Sequence, residues 1–334
     1  MNSNPANAHV TRGYLIAMAS AAILSTTAIF IRYLNRVYGL PALVLAVWRD
    51  GMVAAVLLVI LAFFRRRLIG VERRHVGFLA LYGLVLALFN ALWTNSVAMN
   101  GAAVSTVLVY CSAAFTALLG RWFLKEHLGW AKLMAIALCL GGCVLVAEAY
   151  QAPAWRANLI GILTGILSGL AYAAYTLLGR TGAQRGLNPW TATLYSFAFA
   201  AGFLLVINLL GGGILPGTVA RPSGLFWLGS SVPGWAILFL LAAGPTLAGF
   251  GLYNVSLNYL PSSVVNLIVS FEPALTSVTA FFLFGERLTW IQIGGSLLIL
   301  GGVVILRLYE NGKNSSVEVK PVRVRPIASG PGLG

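Results

Sequence analysis

The chain has 334 residues, of which 59% are hydrophobic and only 9% charged, with a mean hydropathy of +0.87 and a net charge of +14. That is more apolar surface than a soluble core of this length can hide, so a water-soluble globular protein is excluded and a membrane protein is expected. The basic excess also suits nucleic acid, but the basic residues gather in loops between apolar stretches, and no nucleic-acid partner is expected.

Taken in chain order, residues 1–12 form a polar N-terminal segment, and apolar windows follow at 13–34, 40–63, 76–99, 101–123 and 130–149. Five more follow at 157–180, 188–211, 233–258, 261–284 and 290–309. Each is about 20 residues long, enough to cross a hydrocarbon core of about 30 Å at about 1.5 Å per residue. After Glu310 the chain turns polar and Pro-rich, and 311–334 is expected to be a disordered cytoplasmic tail. The first window is too long for a signal-peptide core, so it is expected to stay as a span.

The two halves are copies. Residues 126–146 and 286–306 share eight of twenty-one positions, among them Glu126 and Glu286, Leu128 and Leu288, Trp130 and Trp290, and Gly141-Gly142 and Gly301-Gly302. Earlier in each half the offset is 148 rather than 160: Gly13 matches Gly161, Ser20 matches Ser168, Arg32 matches Arg180 and Pro41 matches Pro189. The difference of 12 is a loop insertion in the Gly- and Pro-rich stretch 212–232. The expected fold class is an all-α membrane protein of ten transmembrane helices arranged as two five-helix repeats, 13–150 and 157–310. An odd number of spans per repeat makes the second copy enter from the opposite side, so the repeats are inverted, a geometry suited to alternating access.

With the N-terminus inside, sixteen of the 22 Lys and Arg fall in inner segments, including Arg65, Arg66, Arg67, Arg73 and Arg74. Five fall outside (Arg32, Arg36, Arg156, Arg221 and Arg287), and Arg49 lies within a span. Both termini are therefore expected in the cytoplasm.

Enzyme chemistry finds no support. Asp50 is the only aspartate, and His9, His75 and His127 lie in the terminus or in loops. No His-Glu-x-x-His or phosphate-cradling Gly-x-x-x-x-Gly-Lys motif occurs, so no metal, cofactor or nucleotide hydrolysis is expected. Cys111, Cys139 and Cys143 fall in spans without a Cys-x-x-Cys and read as packing residues.

Charged groups near the bilayer centre cost about 3 kcal/mol or more, so each needs a partner or a task. Arg49 and Glu272 both fall near the midplane, where an inverted-repeat carrier binds substrate and coupling ion. They are candidates for a pair, or for two ends of one site; the alternative is an ion pair that only fixes packing. Asp50 follows Arg49 at about 100° around the helix and is not expected to share its face. Pro273 frees the carbonyl of Val269, so the ninth span is expected to bend at the acid, and Pro245 marks a second bend in the eighth. Among the intramembrane amides and aromatics, Asn95 and Asn266 are placed nearest a cavity, with Tyr110, Trp93, Tyr175, Tyr253 and Asn254 as further candidates. Gly161, Gly165 and Gly169 on one helix face allow close helix approach. So do Gly141-Gly142, Gly294-Gly295 and Gly301-Gly302, within the chain or across a homodimer.

Pro41 followed by Arg49, Glu126-His127-Leu128, Phe271-Glu272-Pro273-Ala274, Gly285-Glu286-Arg287-Leu288 and Gly301-Gly302 together resemble the drug/metabolite transporter superfamily, in its ten-span members with two EamA-like domains. The resemblance covers 13–309 and implies a bacterial inner-membrane carrier with a central cavity between the repeats, often an exporter of amino acids, metabolites or toxic compounds. The first repeat has Ala113 where many members carry proline, which gives no ground for a matching bend in the fourth span. The expected function is a secondary transporter, an exporter of a small metabolite, amino acid or amphipathic compound, exchanging it for protons through Glu272. A passive channel or scramblase and a non-transporting scaffold are the alternatives.

Overall fold

A computed structural model describes residues 5–123, 129–146, 152–256, 259, 268–269 and 271–315; of residues 5–10, 113, 117, 120–123, 131–132, 139, 152–157, 180, 183, 254 and 306–315 it describes the backbone alone. Among the described residues the chain is all helical. In chain order the helices are α1 (Pro5–Ser25), α2 (Thr27–Tyr38), α3 (Ala42–Phe64), α4 (Arg73–Asn100), α5 (Ala102–Val109), α6 (Ser112–Phe123) and α7 (Trp130–Val146). They continue with α8 (Ala152–Gln184), α9 (Pro189–Gly211), α10 (Val232–Leu241), a π-helical turn (Ala242–Ala248), α11 (Gly249–Ser256), α12 (Glu272–Phe284) and α13 (Trp290–Ser315).

Six stretches are long and apolar enough to cross a bilayer: Thr11–Tyr38, Ala42–Phe64, Arg73–Asn100, Asn158–Gly179, Pro189–Gly211 and Val232–Tyr253. Four shorter apolar helices accompany them, at Ala102–Thr116, Leu133–Val146, Glu272–Phe284 and Trp290–Ile305. Local chemistry sets the ends. Asn188 accepts from the Trp190 N–H with Pro189 in the first turn of α9, and Ser231 accepts from the Gly234 N–H to open α10. Phe63, Phe64, Leu210, Val232, Phe282 and Trp290 face outward, an apolar exterior suited to lipid.

The two halves interleave. Helix α4 packs on α8 and α9, α3 on α9, α7 on α13, α1 on α11, α6 on α8 and α5 on α12. Gly142 and Gly295 meet backbone to backbone: a Cβ on Gly142 would stand 2.5 Å from the Gly295 carbonyl oxygen, and one on Gly295 2.8 Å from that of Gly142. These two glycines thus serve packing within the chain, while Gly141, Gly294 and Gly301 face open space. Gly142→Val is expected to cost about 1–3 kcal/mol, since neither backbone can yield, while Gly141→Ala is expected to be nearly neutral; detergent melting curves compare them.

The stretch inserted in the second half is not a free loop. Its Gly217 carbonyl accepts from the Leu43 N–H at 3.0 Å, the Trp48 indole donates to Leu225 O at 2.7 Å, and the Trp227 indole donates to Tyr38 O at 3.0 Å. It covers one end of the bundle, the end at which α2 and α12 finish and α3 and α5 start.

The most informative departures from regularity lie inside the apolar stretches. Three are broken by a turn with i−3 hydrogen bonds in place of the i−4 ladder: Thr26 N–H to Ile23 O, Cys111 N–H to Leu108 O, and Phe271 N–H to Ile268 O, each 3.1 Å. The last two sit at matching places in the repeat, 160 residues apart. At the expected bend the helix register is interrupted by this tight turn: α12 starts at Glu272 and Pro273 occupies its first turn, where no N–H is needed. Its counterpart in the first half breaks equally, although it carries no proline. At Thr26 the cause is a polar run, in which Ser25, Thr26 and Thr27 each turn a hydroxyl onto the carbonyl three residues back. Pro245 falls within the π-helical turn, where the Thr246 hydroxyl bonds Leu241 O at 2.9 Å.

Candidate functional site

The residues expected to form one site divide into two groups. At the first, the matched breaks face each other. The Tyr110 hydroxyl, at the turn between α5 and α6, lies 3.0 Å from Glu272 Oε2 and 3.0 Å from the Val269 carbonyl oxygen. Val269 is the carbonyl that Pro273 leaves without its helical donor, and the tyrosine of the other repeat supplies the replacement. Tyr253 packs beside this turn with Ala17, Tyr259, Ile268 and Val269.

The second group sits on α3 and α4. Arg49 and Asp50 are 2% and 0% exposed, and Arg49 Nε donates to Asp50 Oδ1 at 3.1 Å. Asn90 Nδ2 donates to Asp50 Oδ2 at 2.6 Å. Neighbouring positions on a helix diverge by about 100°, but the arginine side chain is long enough to fold back, so the expectation that the two do not share a face is corrected. Arg49 and Glu272 are not paired with each other; each has a partner of its own. The Arg49 guanidinium also lies 5.8 Å from the Trp93 ring centroid, a cation–π contact. Its terminal amino groups donate to nothing among the described residues, and the Trp93 indole N–H is buried without a partner among them. A buried indole N–H without a partner near a guanidinium is chemically able to accept an anionic group.

From Trp93 an aromatic column runs along α4 and α8. Phe89 stacks on Trp93 at 6.0 Å and meets Tyr172 at 5.1 Å, and Tyr172 stacks on Tyr175 at 6.3 Å. Tyr175 in turn stacks on Tyr82 at 4.5 Å. Tyr175 thus belongs to this column and not to the Glu272 turn. Asn95 belongs to neither group: its amide donates to Ala91 O of its own helix at 2.9 Å, and its Oδ1 lies beside Gly217 of the inserted stretch. Asn266 lies outside the described residues, and of Asn254 the backbone alone is described.

Arg32, which the sequence places in an outer segment, and Glu286, which it offers only through the repeat and the family resemblance, form a third constellation. Arg32 Nε and Glu286 Oε1 are 2.9 Å apart, and Arg32 Nη1 also donates to Ala98 O at 2.8 Å. The other Glu286 oxygen accepts from the Ala103 N–H at 3.2 Å, in the first turn of α5. The signal that could have found them was the repeat itself, in which Arg32 matches Arg180 and Glu286 matches Glu126. A groove of about 680 Å³ opens beside them, lined by Thr26, Ile29, Phe30 and Tyr33 of the first half and Ile237, Thr279 and Leu283 of the second.

Comparison with known proteins gives a consistent result. The pattern of the EamA-like transporter family matches residues 11–147 and 159–308. A protein of Archaeoglobus fulgidus described as an uncharacterized transporter is 29% identical over 66% of this chain and 74% of its own length. The Bacillus subtilis uncharacterized transporter YyaM is 24% identical over 81% of this chain and 88% of its own. The threonine/homoserine exporter RhtA of Escherichia coli K12 is 32% identical, but over only 44% of this chain and 43% of its own. One protein crystal structure superposes with a TM-score of 0.58 over 90% of this chain and 98% of that one at 15% identity, a likeness of fold alone.

Proposed function

The chain belongs to the EamA-like transporter family and is a multi-pass membrane protein that handles a small-molecule substrate; from that premise we propose that it is a secondary carrier, an exporter working by alternating access in a bacterial inner membrane, with Glu272 as its proton-coupling carboxyl. In this reading ten spans form two inverted repeats with both termini cytoplasmic. Pairing the first span with the sixth, the second with the seventh and so on maps the packing onto itself: α4 on α8 corresponds to α1 on α11, and α6 on α8 to α1 on α12. The arginines at the end of the bundle opposite the inserted stretch, Arg65 to Arg67, Arg73 and Arg74, support the assignment of that end as cytoplasmic.

The observation that carries the reading is the Tyr110 hydroxyl between two acceptors. It has one proton and two oxygen atoms at 3.0 Å. When Glu272 is ionised, the hydroxyl serves the carboxylate and the Val269 carbonyl loses its donor. When Glu272 is protonated, the acid donates to the hydroxyl oxygen, which then serves Val269. Protonation thereby decides whether the Val269 carbonyl is tied to the turn of the other repeat, a change in bonding of the kind that coupling needs.

Arg49 and Trp93 would hold an anionic group of the cargo, and the aromatic column beside them an apolar part. A zwitterionic amino acid fits, and the exporter RhtA makes threonine and homoserine the first compounds to try. Counterflow in proteoliposomes, with a mixed amino-acid pool inside and an isotope-labelled pool outside, tests this. Saturable exchange of one compound class supports the carrier; flux that grows linearly with concentration and shows no counterflow points to a channel, and a folded, inserted protein that exchanges nothing points to a scaffold.

A further inference from the structure

We infer that Arg32 and Glu286 form the latch that closes the inserted-stretch end of the bundle, and that it must open for the carrier to face that side. The inference rests on the carrier reading above, and its observations are independent of Glu272.

The pair ties together four places. Arg32 is on α2, Glu286 follows α12, and their remaining bonds go to the end of α4 (Ala98 O) and the start of α5 (Ala103 N–H). Beside it, Arg36 Nη1 donates to Phe284 O at 3.2 Å, a second tie between α2 and α12. The site is shaped for the carboxylate: Gly101 has φ +86°, and a Cβ there would stand 2.6 Å from Glu286 Oε1, so only glycine admits the acid at this depth. At 23% and 17% exposed, both side chains are more accessible than those of the Arg49–Asp50 pair, at 2% and 0%.

What makes this tie a latch is where the chain is hinged. The two elements it joins each begin at a tight turn that interrupts the i−4 ladder, α2 at Thr26 and α12 at Phe271. The hinges are themselves linked, because the Thr276 hydroxyl, one turn into α12, donates to Ser25 O at 2.9 Å. An open groove of about 680 Å³ runs between α2, α10 and α12, so the two helices are not packed tightly against each other along it. Two half-helices that start at tight turns, an open groove between them and an accessible ion pair across their far ends make a gate held chiefly by that pair.

The test reads accessibility and needs no substrate. Thr106 is buried on α5, one turn inside Ala103. In a background with the native cysteines replaced by serine, Thr106→Cys is exposed to a membrane-impermeant maleimide from the side on which Ile214→Cys, in the inserted stretch, reacts. With the latch intact, labelling is slow. Arg32→Gln and Glu286→Gln are expected to speed it roughly five- to tenfold, while Arg32→Lys, which keeps the charge, stays near the starting rate. Equal rates in all variants would overturn the latch and leave a static packing tie. A gain in labelling that merely tracks a fall in melting temperature would also overturn it. Unchanged labelling alongside saturable counterflow sinks the latch alone; faster labelling without any counterflow sinks the carrier alone.

Discussion

Asp50→Ala is expected to lower stability by about 3–5 kcal/mol, the largest effect of any single substitution considered, because it strands a buried guanidinium. Arg49 is 2% exposed and Asp50 is its only anionic partner among the described residues. Removing the carboxylate leaves the positive charge in a low-dielectric interior and also removes the acceptor of the Asn90 amide. Replacing both charges, as in Arg49→Met with Asp50→Leu, is expected to recover most of the loss, since apolar residues of similar volume replace buried ion pairs at little cost. Melting in detergent by intrinsic fluorescence measures the set. If the double replacement is as unstable as Asp50→Ala, the loss comes from cavities rather than from a stranded charge. The two effects of Arg49 also separate: a double variant that is stable but transports nothing places the guanidinium in cargo binding.

Glu272→Gln is expected to abolish the pH dependence of exchange while leaving the protein folded. Glutamine keeps a group that can donate to the Tyr110 hydroxyl, so it mimics the protonated acid and fixes the tie to Val269. The variant is expected to exchange cargo for cargo but to lose proton-driven accumulation, by roughly ten- to hundredfold if a charged hydrogen bond of about 1.5–3 kcal/mol is what the proton switches. Tyr110→Phe removes the switched hydroxyl and is expected to weaken coupling without deleting the carboxyl. The two together should be no worse than the worse one alone, because both act on a single link. Initial rates across pH 5.5–8 in proteoliposomes, with and without a pH gradient, decide it. A pH profile that survives Glu272→Gln removes this carboxyl from the mechanism.

Much of this was legible in the residues. The duplication at offsets of 148 and 160, the apolar windows and the Glu272-Pro273 step need only the chain, because span length and repeat spacing are one-dimensional properties. The partners were not legible. Periodicity said that Arg49 and Asp50 diverge, but a flexible arginine bends through that angle. Arg49 and Glu272 look paired by depth alone, and depth says nothing about position around the bundle. The break at Tyr110–Cys111 has no proline to announce it, only its match to the break before Glu272. Arg32 and Glu286 stand 254 residues apart and meet only because the repeats interleave.

The most direct test of the account is a count of protons against cargo. Proteoliposomes holding a pH-sensitive dye would be exposed to whichever labelled amino acid exchanges in counterflow, and internal pH and label followed together. The account predicts a fixed number of protons moving opposite to each cargo molecule in the wild type, and label movement without pH change in Glu272→Gln. Wild-type cargo flux with no proton movement would contradict it.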